Sequence, residues 1–238
     1  MSYGRKVLLH VTQQNQVGIM KIRKHTASKE DHWLGDENMG QARTLSEREL
    51  KLLLLYIATR KFSSRDRAMM LLTHWGGMRI GEVAATQIGD VLSLDGTIKS
   101  EIRLSASQTK GKHARTVILS EKLRKELQTY LQQRFETKQL VDVTYKADMT
   151  KPLFATQKKP NGGFSANTAC YHFHMLYRSA GLDGASSHSG RRSFLTQLSA
   201  KAVPLKVMME LAGHRQAQTT MRYISVTTDM KKAAVNLL

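Results

Sequence analysis

Two alternating segments in the middle of the chain limit its fold more than any other feature of the sequence. "TIKSEIRLS" and "ARTVILS" alternate apolar with polar side chains, which predicts two β-strands. "ASQTKGKH" between them predicts a basic hairpin tip. Most of the remaining sequence after Thr44 has the spacing of apolar residues typical of amphipathic helices. We therefore expect an α+β fold that is mainly α-helical, with one small antiparallel sheet.

Capping and helix-breaking residues divide the helical part of the chain. "TLSE" predicts a capping box formed by Thr44 and Glu47, ahead of a helix over "LSERELKLLLLYIAT". A second helix over "SSRDRAMMLLTHW" is predicted to be capped near Ser63 or Ser64 and to stop at a glycine pair. Residues 137–164 are predicted to be rich in loops. Further helices are predicted over "RIGEVAAT", "EKLRKELQTYLQQRF" after Ser120, Ser165 to near Gly181, "SHSGRRSFLTQLSAKA", and "PLKVMMELA" closed by Gly213.

The sequence suggests three regions. Residues 1–43 have scattered apolar positions and are predicted to be a short arm or linker. Residues 44–226 are predicted to form the main domain. Residues 227–238 are predicted to form a helical tail, whose apolar side chains fall on one stripe. That stripe consists of Met230, Ala233, Ala234, Leu237 and Leu238.

Charge is the strongest indication of a partner. The 238 residues include 37 Lys and Arg but only 19 Asp and Glu, giving a formal charge of +18, which favours binding to a polyanion such as nucleic acid. The longest apolar runs, such as "LLLLYIA", are too short to span a bilayer, and the N-terminus has no signal-peptide pattern. Cys170 is the only cysteine, which excludes an internal disulfide. We expect a cytoplasmic protein that makes no use of a membrane.

The residue types limit the chemistry that such a protein can perform on DNA. Asp and Glu are dispersed, so no metal site is predicted, and no phosphate-binding glycine loop or other cofactor motif is present. Attack on a phosphodiester without a metal needs a nucleophile, cationic groups on the non-bridging oxygens, and groups that take and give protons. Arginine suits the second task because its planar fork matches a phosphate.

The chain contains a complete set of such residues. The candidates are Arg79, Lys110, His188, Arg191, His214 and Tyr223. Taken singly, each has an ordinary structural explanation: a surface cation, a solvated hairpin tip, a helix cap, or a core aromatic residue. His214 and Tyr223 are nine residues apart, which in one unbroken helix would place them on opposite faces. Gly213 and the polar "RQAQTT" predict a break that can bring them together.

The order of these residues is more specific than any one of them. "RIGE", a lysine on a β-hairpin, "HSGR" and "LAGHRQAQTTMRY" together resemble the tyrosine recombinase, or phage integrase, family from about Thr44 to Val226. The resemblance implies the DNA breaking-rejoining catalytic fold. It also implies that Arg79 and Arg191 clamp the scissile phosphate. The short region before Thr44 resembles the compact plan of Fim-type recombinases, without a full core-binding domain.

The resemblance implies roles for the other candidates as well. Lys110 would protonate the 5′ leaving group, with Lys112 as its rival, and His188 would assist proton transfer. His214 would hydrogen-bond the phosphate, and Tyr223 would be the nucleophile. Glu82 would hold the site together. Residues expected to contact DNA are Lys112, Arg115, Arg192, Arg215 and Arg222.

The function implied is site-specific recombination of double-stranded DNA through a 3′-phosphotyrosyl intermediate, without metal, ATP or another cofactor. The expected assembly is a homo-tetramer on DNA, formed from a monomer or weak oligomer, with accessory DNA-bending proteins as possible partners. Two alternatives stay open: relaxation of one duplex by a type IB topoisomerase-like reaction, and a DNA-binding regulator without strand exchange.

Overall fold

The computed structural model describes residues 42–109, 113–157, 162–224, 226 and 228–236. Within these residues the chain is mainly helical, as predicted. The helices are α1 (Glu47–Ala58), α2 (Ser63–His74), α3 (Ile80–Ala85), α4 (Ile88–Val91), α5 (Glu121–Arg134), α6 (Val141–Lys146), α7 (Ala166–Ser179), α8 (Ser189–Ala200), α9 (Leu205–Ala212), α10 (Ala217–Met221) and α11 (Thr228–Val235). The strands are β1 (Glu101–Leu104) and β2 (Arg115–Ile118), with a 3-10 turn at Ala106–Gln108 between them.

The two predicted strands form the predicted antiparallel hairpin. Glu101 pairs with Ile118 at one end, and Leu104 pairs with Arg115 at the other. Ile102 and Leu104 on β1 are buried with Val117 of β2 because alternate side chains of a strand point to the same face. The hairpin prediction is confirmed. Lys110 and Lys112 at its tip lie outside the described residues.

The first helix begins two residues later than predicted. Its cap is Ser46, whose hydroxyl accepts from the backbone N–H of Glu49, while the Glu49 carboxylate accepts from the Ser46 N–H at 2.9 Å. The capping box is therefore "SERE", and the prediction of Thr44 with Glu47 is wrong. The reason is tertiary: Leu45 is buried and its N–H donates to Ser193 Oγ at 2.7 Å, which holds the chain extended up to Ser46.

The second helix also differs in its cap. Phe62 occupies the cap position without a side-chain hydrogen bond, and Ser63 is already helical. The predicted serine cap is therefore wrong. Helix α6, in the described part of the region 137–164, was not predicted by the sequence analysis. The helices predicted after Ser120 and Ser165 are confirmed as α5 and α7.

Helix α2 lies at the centre of the core and packs against α1, α5 and α8. Its residues from Ala68 to His74 are all buried. Helix α8 approaches it so closely that a Cβ on Gly190 would lie 2.2 Å from Thr73 Oγ1. Only glycine fits there, and this contact holds the next residue, Arg191, fully inside the protein.

The predicted end of α9 and the break after it are confirmed. Gly213 closes the helix in the left-handed conformation, with φ of +64°. The chain then turns before α10 begins at Ala217. No helix in the described part of the chain is both long enough and apolar enough to cross a membrane.

Candidate active site

One buried carboxylate organises the centre of the predicted site. Glu82 on α3 is only 1% exposed, and its side chain accepts from Arg79 in two ways. The Arg79 backbone N–H donates to Glu82 Oε2 at 2.8 Å, and Arg79 Nη1 donates to Oε1 at 3.0 Å. Arg79 immediately precedes α3 and is 26% exposed, so its side chain is fixed by Glu82 yet remains accessible.

A second arginine holds Glu82 from another element. Arg115 begins β2 and donates to both Glu82 oxygens, at 3.1 and 2.6 Å. A third hydrogen bond of 3.0 Å reaches the carbonyl of Leu211 on α9. Only 8% of the Arg115 side chain is exposed. The backbone after α9 packs against it, because a Cβ on Gly213 would lie 2.6 Å from Arg115 Cδ.

The electrostatics of this carboxylate follow from its partners. Burial alone would raise the pKa of Glu82, but the hydrogen bonds and charges of Arg115 and Arg79 hold it below its usual range. Glu82 is therefore ionised at neutral pH. Arg79 immediately precedes α3 and Arg115 begins β2, so the two ion pairs of Glu82 tie α3 to β2.

Arg191 is a third arginine in the same region, and it has no carboxylate partner among the described residues. Its side chain is fully buried and donates to two backbone carbonyls, those of Gly77 at 2.6 Å and Ala212 at 2.5 Å. Its Nε has no hydrogen-bond partner within the described parts of the chain. Burial, and then the charges of Arg79 and Arg115, lower the pKa of Arg191, although a guanidinium stays charged at neutral pH.

His214 lies directly against Arg191. Arg191 Nη2 is 2.8 Å from His214 Nε2, and His214 Nδ1 is 2.9 Å from the hydroxyl of Thr220. Burial, and then the positive charge of Arg191, lowers the pKa of His214 to about 3. Arg79 and Arg115 act in the same direction. The imidazole is therefore neutral at physiological pH.

Tyr223 closes this side of the site. Its ring centroid lies 5.3 Å from that of His214, and the Arg191 guanidinium carbon lies 5.7 Å from the same ring. The backbone carbonyl of Tyr223 accepts from Thr196 Oγ1 at 3.1 Å, and the ring packs on a small cluster around Leu195. The turn between α9 and α10 thus brings His214 and Tyr223 together, as the sequence analysis predicted.

The remaining predicted site residues lie at or near the surface or outside the described residues, apart from Arg115. His188 is exposed and occupies the cap position of α8, three residues before Arg191. Arg192 is partly buried, while Arg215 and Arg222 are exposed. Arg115 was expected to contact DNA, and in the structure its guanidinium is nearly buried and bonded to Glu82. Lys110 and Lys112 are outside the described residues, so their roles stay predictions.

The sequence analysis missed Thr220, the buried partner of His214. No local signal marks it, because a threonine in a helix is ordinary until its neighbours in space are known. Within the described ranges, no group of three or more His, Cys, Asp or Glu side chains is arranged to hold a metal ion.

The whole arrangement carries an excess of positive charge. Arg79, Arg115 and Arg191 face only one carboxylate, that of Glu82, which leaves a net charge of +2 within the described cluster. An anion that enters beside Tyr223 is therefore electrostatically favoured. A phosphodiester has the charge and the oxygen acceptors that such a cluster would bind.

Comparison with known proteins identifies the family of the chain. The model of the phage integrase family matches residues 43–230. The tyrosine recombinase XerA of Pyrococcus furiosus is 27% identical over 81% of this chain and 60% of that protein. The tyrosine recombinase XerC of Treponema denticola is 29% identical over 71% of this chain and 54% of that protein. The chain thus spans 60% or less of the length of these two curated relatives.

Solved structures agree on the fold. The crystal structure of XerA recombinase superposes with a TM-score of 0.64 and 22% identity, covering 82% of this chain and 64% of that one. A post-cleavage complex of the XerH site-specific recombinase with its palindromic difH substrate gives a TM-score of 0.60 and 23% identity, covering 81% and 52%. The chain has the catalytic-domain fold of the tyrosine recombinases and belongs to the phage integrase family.

Proposed function

We propose that this protein is a site-specific DNA recombinase in which Tyr223 attacks a phosphodiester. The observation that carries the proposal is the contact of Tyr223 with His214 and Arg191, next to a cluster with excess positive charge. A scissile phosphate is the ligand that such a cluster suits. The similar XerH structure is a recombinase bound to its DNA substrate after cleavage, which supports the same class of reaction here.

The chemistry follows from the groups available. The Tyr223 oxygen forms a bond to phosphorus while the bond from phosphorus to the 5′ oxygen breaks. The tyrosine proton passes to a base, for which His188 is the candidate, and Lys110 supplies a proton to the departing 5′ oxygen. Arg79 and Arg191 neutralise the charge that grows on the non-bridging oxygens. The phosphotyrosyl bond conserves the energy of the broken bond, so a 5′ hydroxyl of a second duplex can reverse it.

The structure suggests that Arg115 acts through Glu82 rather than on DNA directly. Three of its hydrogen bonds already go to protein atoms, and its side chain is nearly buried. In contrast, Arg215 precedes α10 and Arg222 follows it. Both are exposed and are better placed to contact the phosphate backbone. We expect the protein to act in the cytoplasm on double-stranded DNA, with affinity that falls steeply as salt rises.

Covalent trapping tests the proposed function. The protein is incubated with a pool of nicked duplexes of random sequence, in which cleavage near the nick releases a short fragment and prevents religation. We expect covalent protein–DNA complexes with the unchanged chain and none with Tyr223→Phe, which keeps the ring but lacks the nucleophile. Tyr171→Phe is the matched control, since Tyr171 is exposed on α7.

The sequences recovered from the trapped complexes then separate the alternatives. Duplexes rebuilt around those sequences should give recombinant joints between two molecules. Relaxation of supercoiled DNA without recombinant joints would indicate a topoisomerase-like enzyme. DNA binding without any covalent complex would indicate a regulator and would overturn the proposal.

The C-terminal helix supports an assembly on DNA. None of the residues of α11 is buried, and Ala233 and Ala234 on its apolar stripe are exposed. We propose that this stripe docks on a second copy of the chain and links the active sites of a tetramer. Deleting the residues after Val226 should then prevent assembly on DNA while leaving the melting temperature nearly unchanged.

A charge on the stripe gives a finer test of the same proposal. Ala233→Asp should weaken assembly on DNA by about tenfold or more, because it places an unpaired carboxylate in an apolar contact. Val235→Asp introduces the same charge on the opposite side of α11, where Val235 is exposed, and should assemble normally. Equal behaviour of the two variants in gel-filtration or mobility-shift assays would contradict docking through the stripe.

A further inference from the structure

The main chain that carries the proposed nucleophile is tied to α8 by one side chain. Thr196 lies on α8, and its hydroxyl donates to the backbone carbonyl of Tyr223 at 3.1 Å. The direction is unambiguous, because a carbonyl oxygen can only accept. Both residues are partly buried, so water competes for this hydrogen bond less than it would at an exposed site. The contact therefore links α8 to the chain that follows α10.

The reach of this hydroxyl distinguishes it from other helical threonines of the protein. Thr73 on α2 donates to the carbonyl of Met70 at 2.8 Å, and Thr129 on α5 donates to that of Lys125 at 3.0 Å. Bonding to the preceding turn in this way is common for a threonine inside a helix. Thr196 instead reaches the carbonyl of a residue 27 positions away. Its hydroxyl thus contributes to the tertiary placement of Tyr223.

Helix α8 is the element that also places Arg191. Gly190 lies so close to α2 that a side chain there would clash with Thr73, which fixes the start of α8 in the core. Thr196 comes five residues after Arg191, about 7.5 Å further along the helix axis. One rigid helix therefore sets the position of a guanidinium proposed to bind the phosphate and of the main chain that carries the attacking phenol.

Apolar packing fixes the Tyr223 segment less strictly than this hydrogen bond does. Tyr223 packs on the small cluster around Leu195, but apolar contacts have no preferred direction. Its backbone N–H donates to the carbonyl of Thr220 at 2.9 Å, a bond that moves together with α10. The bond from Thr196 has a defined length and angle and starts from a different helix.

We propose that Thr196 is a positioning residue, which fixes the main chain of Tyr223 relative to α8 so that the phenol can attack a phosphate bound by Arg191. A misplacement of about 1 Å can slow a reaction by about a hundredfold, so a small shift of this segment is enough to matter. The consequence for cleavage rests on the proposed function, whereas the ordering of Tyr223 in the free protein does not.

Fluorine NMR of the free protein reports the surroundings of the Tyr223 ring without any reaction. The seven tyrosines are replaced by 3-fluorotyrosine, and the Tyr223 signal is the one missing from Tyr223→Phe. Thr196→Val keeps the shape of the side chain but lacks the hydroxyl, and it should shift or broaden this signal. The signals of Tyr130 and Tyr177, which are buried in the main core, should stay in place.

Two further variants complete the comparison. Thr196→Ser retains the hydroxyl and should restore the Tyr223 signal. Thr129→Val removes a hydroxyl that also donates to a carbonyl, but on α5, and should leave the spectrum of Tyr223 unchanged. An unchanged Tyr223 signal in Thr196→Val would overturn the proposal. Movement of the Tyr130 and Tyr177 signals in that variant, or its failure to fold, would assign Thr196 to general stability and overturn it as well.

Cleavage of the trapped DNA sequences gives the second readout. Thr196→Val should slow covalent complex formation by about tenfold to a hundredfold, with DNA affinity unchanged. Thr196→Ser should recover most of the rate, and Thr129→Val should match the unchanged chain. Normal cleavage by Thr196→Val would refute the positioning role. If no form of the protein cleaves DNA, the proposed function fails, and the fluorine signal still decides whether Thr196 orders Tyr223.

Discussion

Two buried carboxylates in this protein are held by arginine, yet their surroundings differ. Asp66 on α2 accepts from Arg65 Nη2 at 2.8 Å and lies 2.8 Å from His172 Nε2. The Arg65 side chain is 7% exposed and is covered by the rings of Phe62 and Phe164. The buried groups of this cluster are one cation and one anion, because the second arginine on Asp66, Arg60 at 3.5 Å, has a side chain that is 36% exposed.

The Glu82 cluster is not balanced in this way. Glu82 is shared by Arg79 and Arg115, and the hydrogen bonds of Arg191 to described residues go to two carbonyls and His214. Buried cations without an anion are costly, so a fold retains them where another requirement outweighs the cost. The two clusters therefore differ in charge: the buried groups around Asp66 compensate each other, whereas those around Glu82 keep an excess of positive charge that an anion would neutralise.

The largest expected effect distinguishes two tasks in cleavage: protonation of the leaving group and neutralisation of charge on the non-bridging oxygens. If Lys110 protonates the 5′ oxygen, Lys110→Ala should slow cleavage by about a hundredfold to ten-thousandfold. A substrate with sulfur at the 5′ bridging position should restore its rate, because a thiolate is a weaker base and needs less protonation. The same substrate should not rescue Arg191→Ala, whose task is charge on the non-bridging oxygens.

The rate of cleavage on both substrates provides the measurement, with Lys112→Ala as the matched control from the same hairpin. Sulfur rescue of Lys112→Ala but not Lys110→Ala would assign the acid to the other lysine. Rescue of Arg191→Ala would show that Arg191 acts on the leaving group, and the division of tasks would be wrong.

The second prediction compares the two carboxylates directly. Glu82→Gln and Asp66→Asn each remove one charge from a buried cluster, and each should lower the free energy of unfolding by about 3–5 kcal/mol. Only Glu82→Gln should also abolish cleavage, because Arg79 and Arg115 lose the group that orients them. Denaturant unfolding measures the stability of the two variants. Covalent trapping, at a temperature where both are folded, measures their cleavage. Normal cleavage by Glu82→Gln would remove the distinction between the clusters.

The smallest of these effects concerns a buried base that is kept neutral. His74 lies at the end of α2, fully inside the protein, and burial lowers its pKa from the ordinary 6.5 to about 4. The unfolded chain therefore binds a proton at a higher pH than the folded protein does. Stability from this group is complete above pH 6.5 and falls as the pH drops toward 4, by about 3 kcal/mol in total.

Unfolding free energies between pH 7 and pH 4 measure this loss. His74→Gln should reduce the pH dependence in this window and leave the part that belongs to His214, whereas His113→Gln, which changes an exposed histidine, should leave it unchanged. An unaltered slope in His74→Gln would mean that another group titrates there, with His214 as the first candidate because its pKa is also lowered.

Much of the fold was predictable because local signals and tertiary packing agree. The hairpin follows from alternation of apolar residues, and the end of α9 follows from Gly213, which adopts the left-handed conformation that glycine favours. The start of α1 was not predictable from the sequence alone. "TLSE" and "SERE" are equally good capping boxes. The choice between them depends on the backbone N–H of Leu45, which donates to Ser193 on α8, far along the chain.

The candidate site was predictable to a similar extent. The order of motifs identified Arg79, Glu82, Arg191, His214 and Tyr223, and the structure brings these residues together. The burial of Arg115 was not predictable, because its partner Glu82 is 33 residues away and the surrounding hairpin sequence is that of a solvated tip. Thr220 was missed for the same reason: a buried hydroxyl becomes informative only when its neighbour in space is known.

Mapping the covalent adduct tests the central claim most directly. Trypsin should release Tyr223 within the peptide "YISVTTDMK", or within a longer peptide from Gln216 if cleavage beside the adduct is blocked, and Tyr223 is the only tyrosine in either. After trapping and nuclease digestion, mass spectrometry should find this peptide carrying a 3′-linked nucleotide phosphate. A nucleotide on any other peptide would contradict the assignment of Tyr223 as the nucleophile. It would also contradict the interpretation of the Glu82 cluster as a phosphate-binding site.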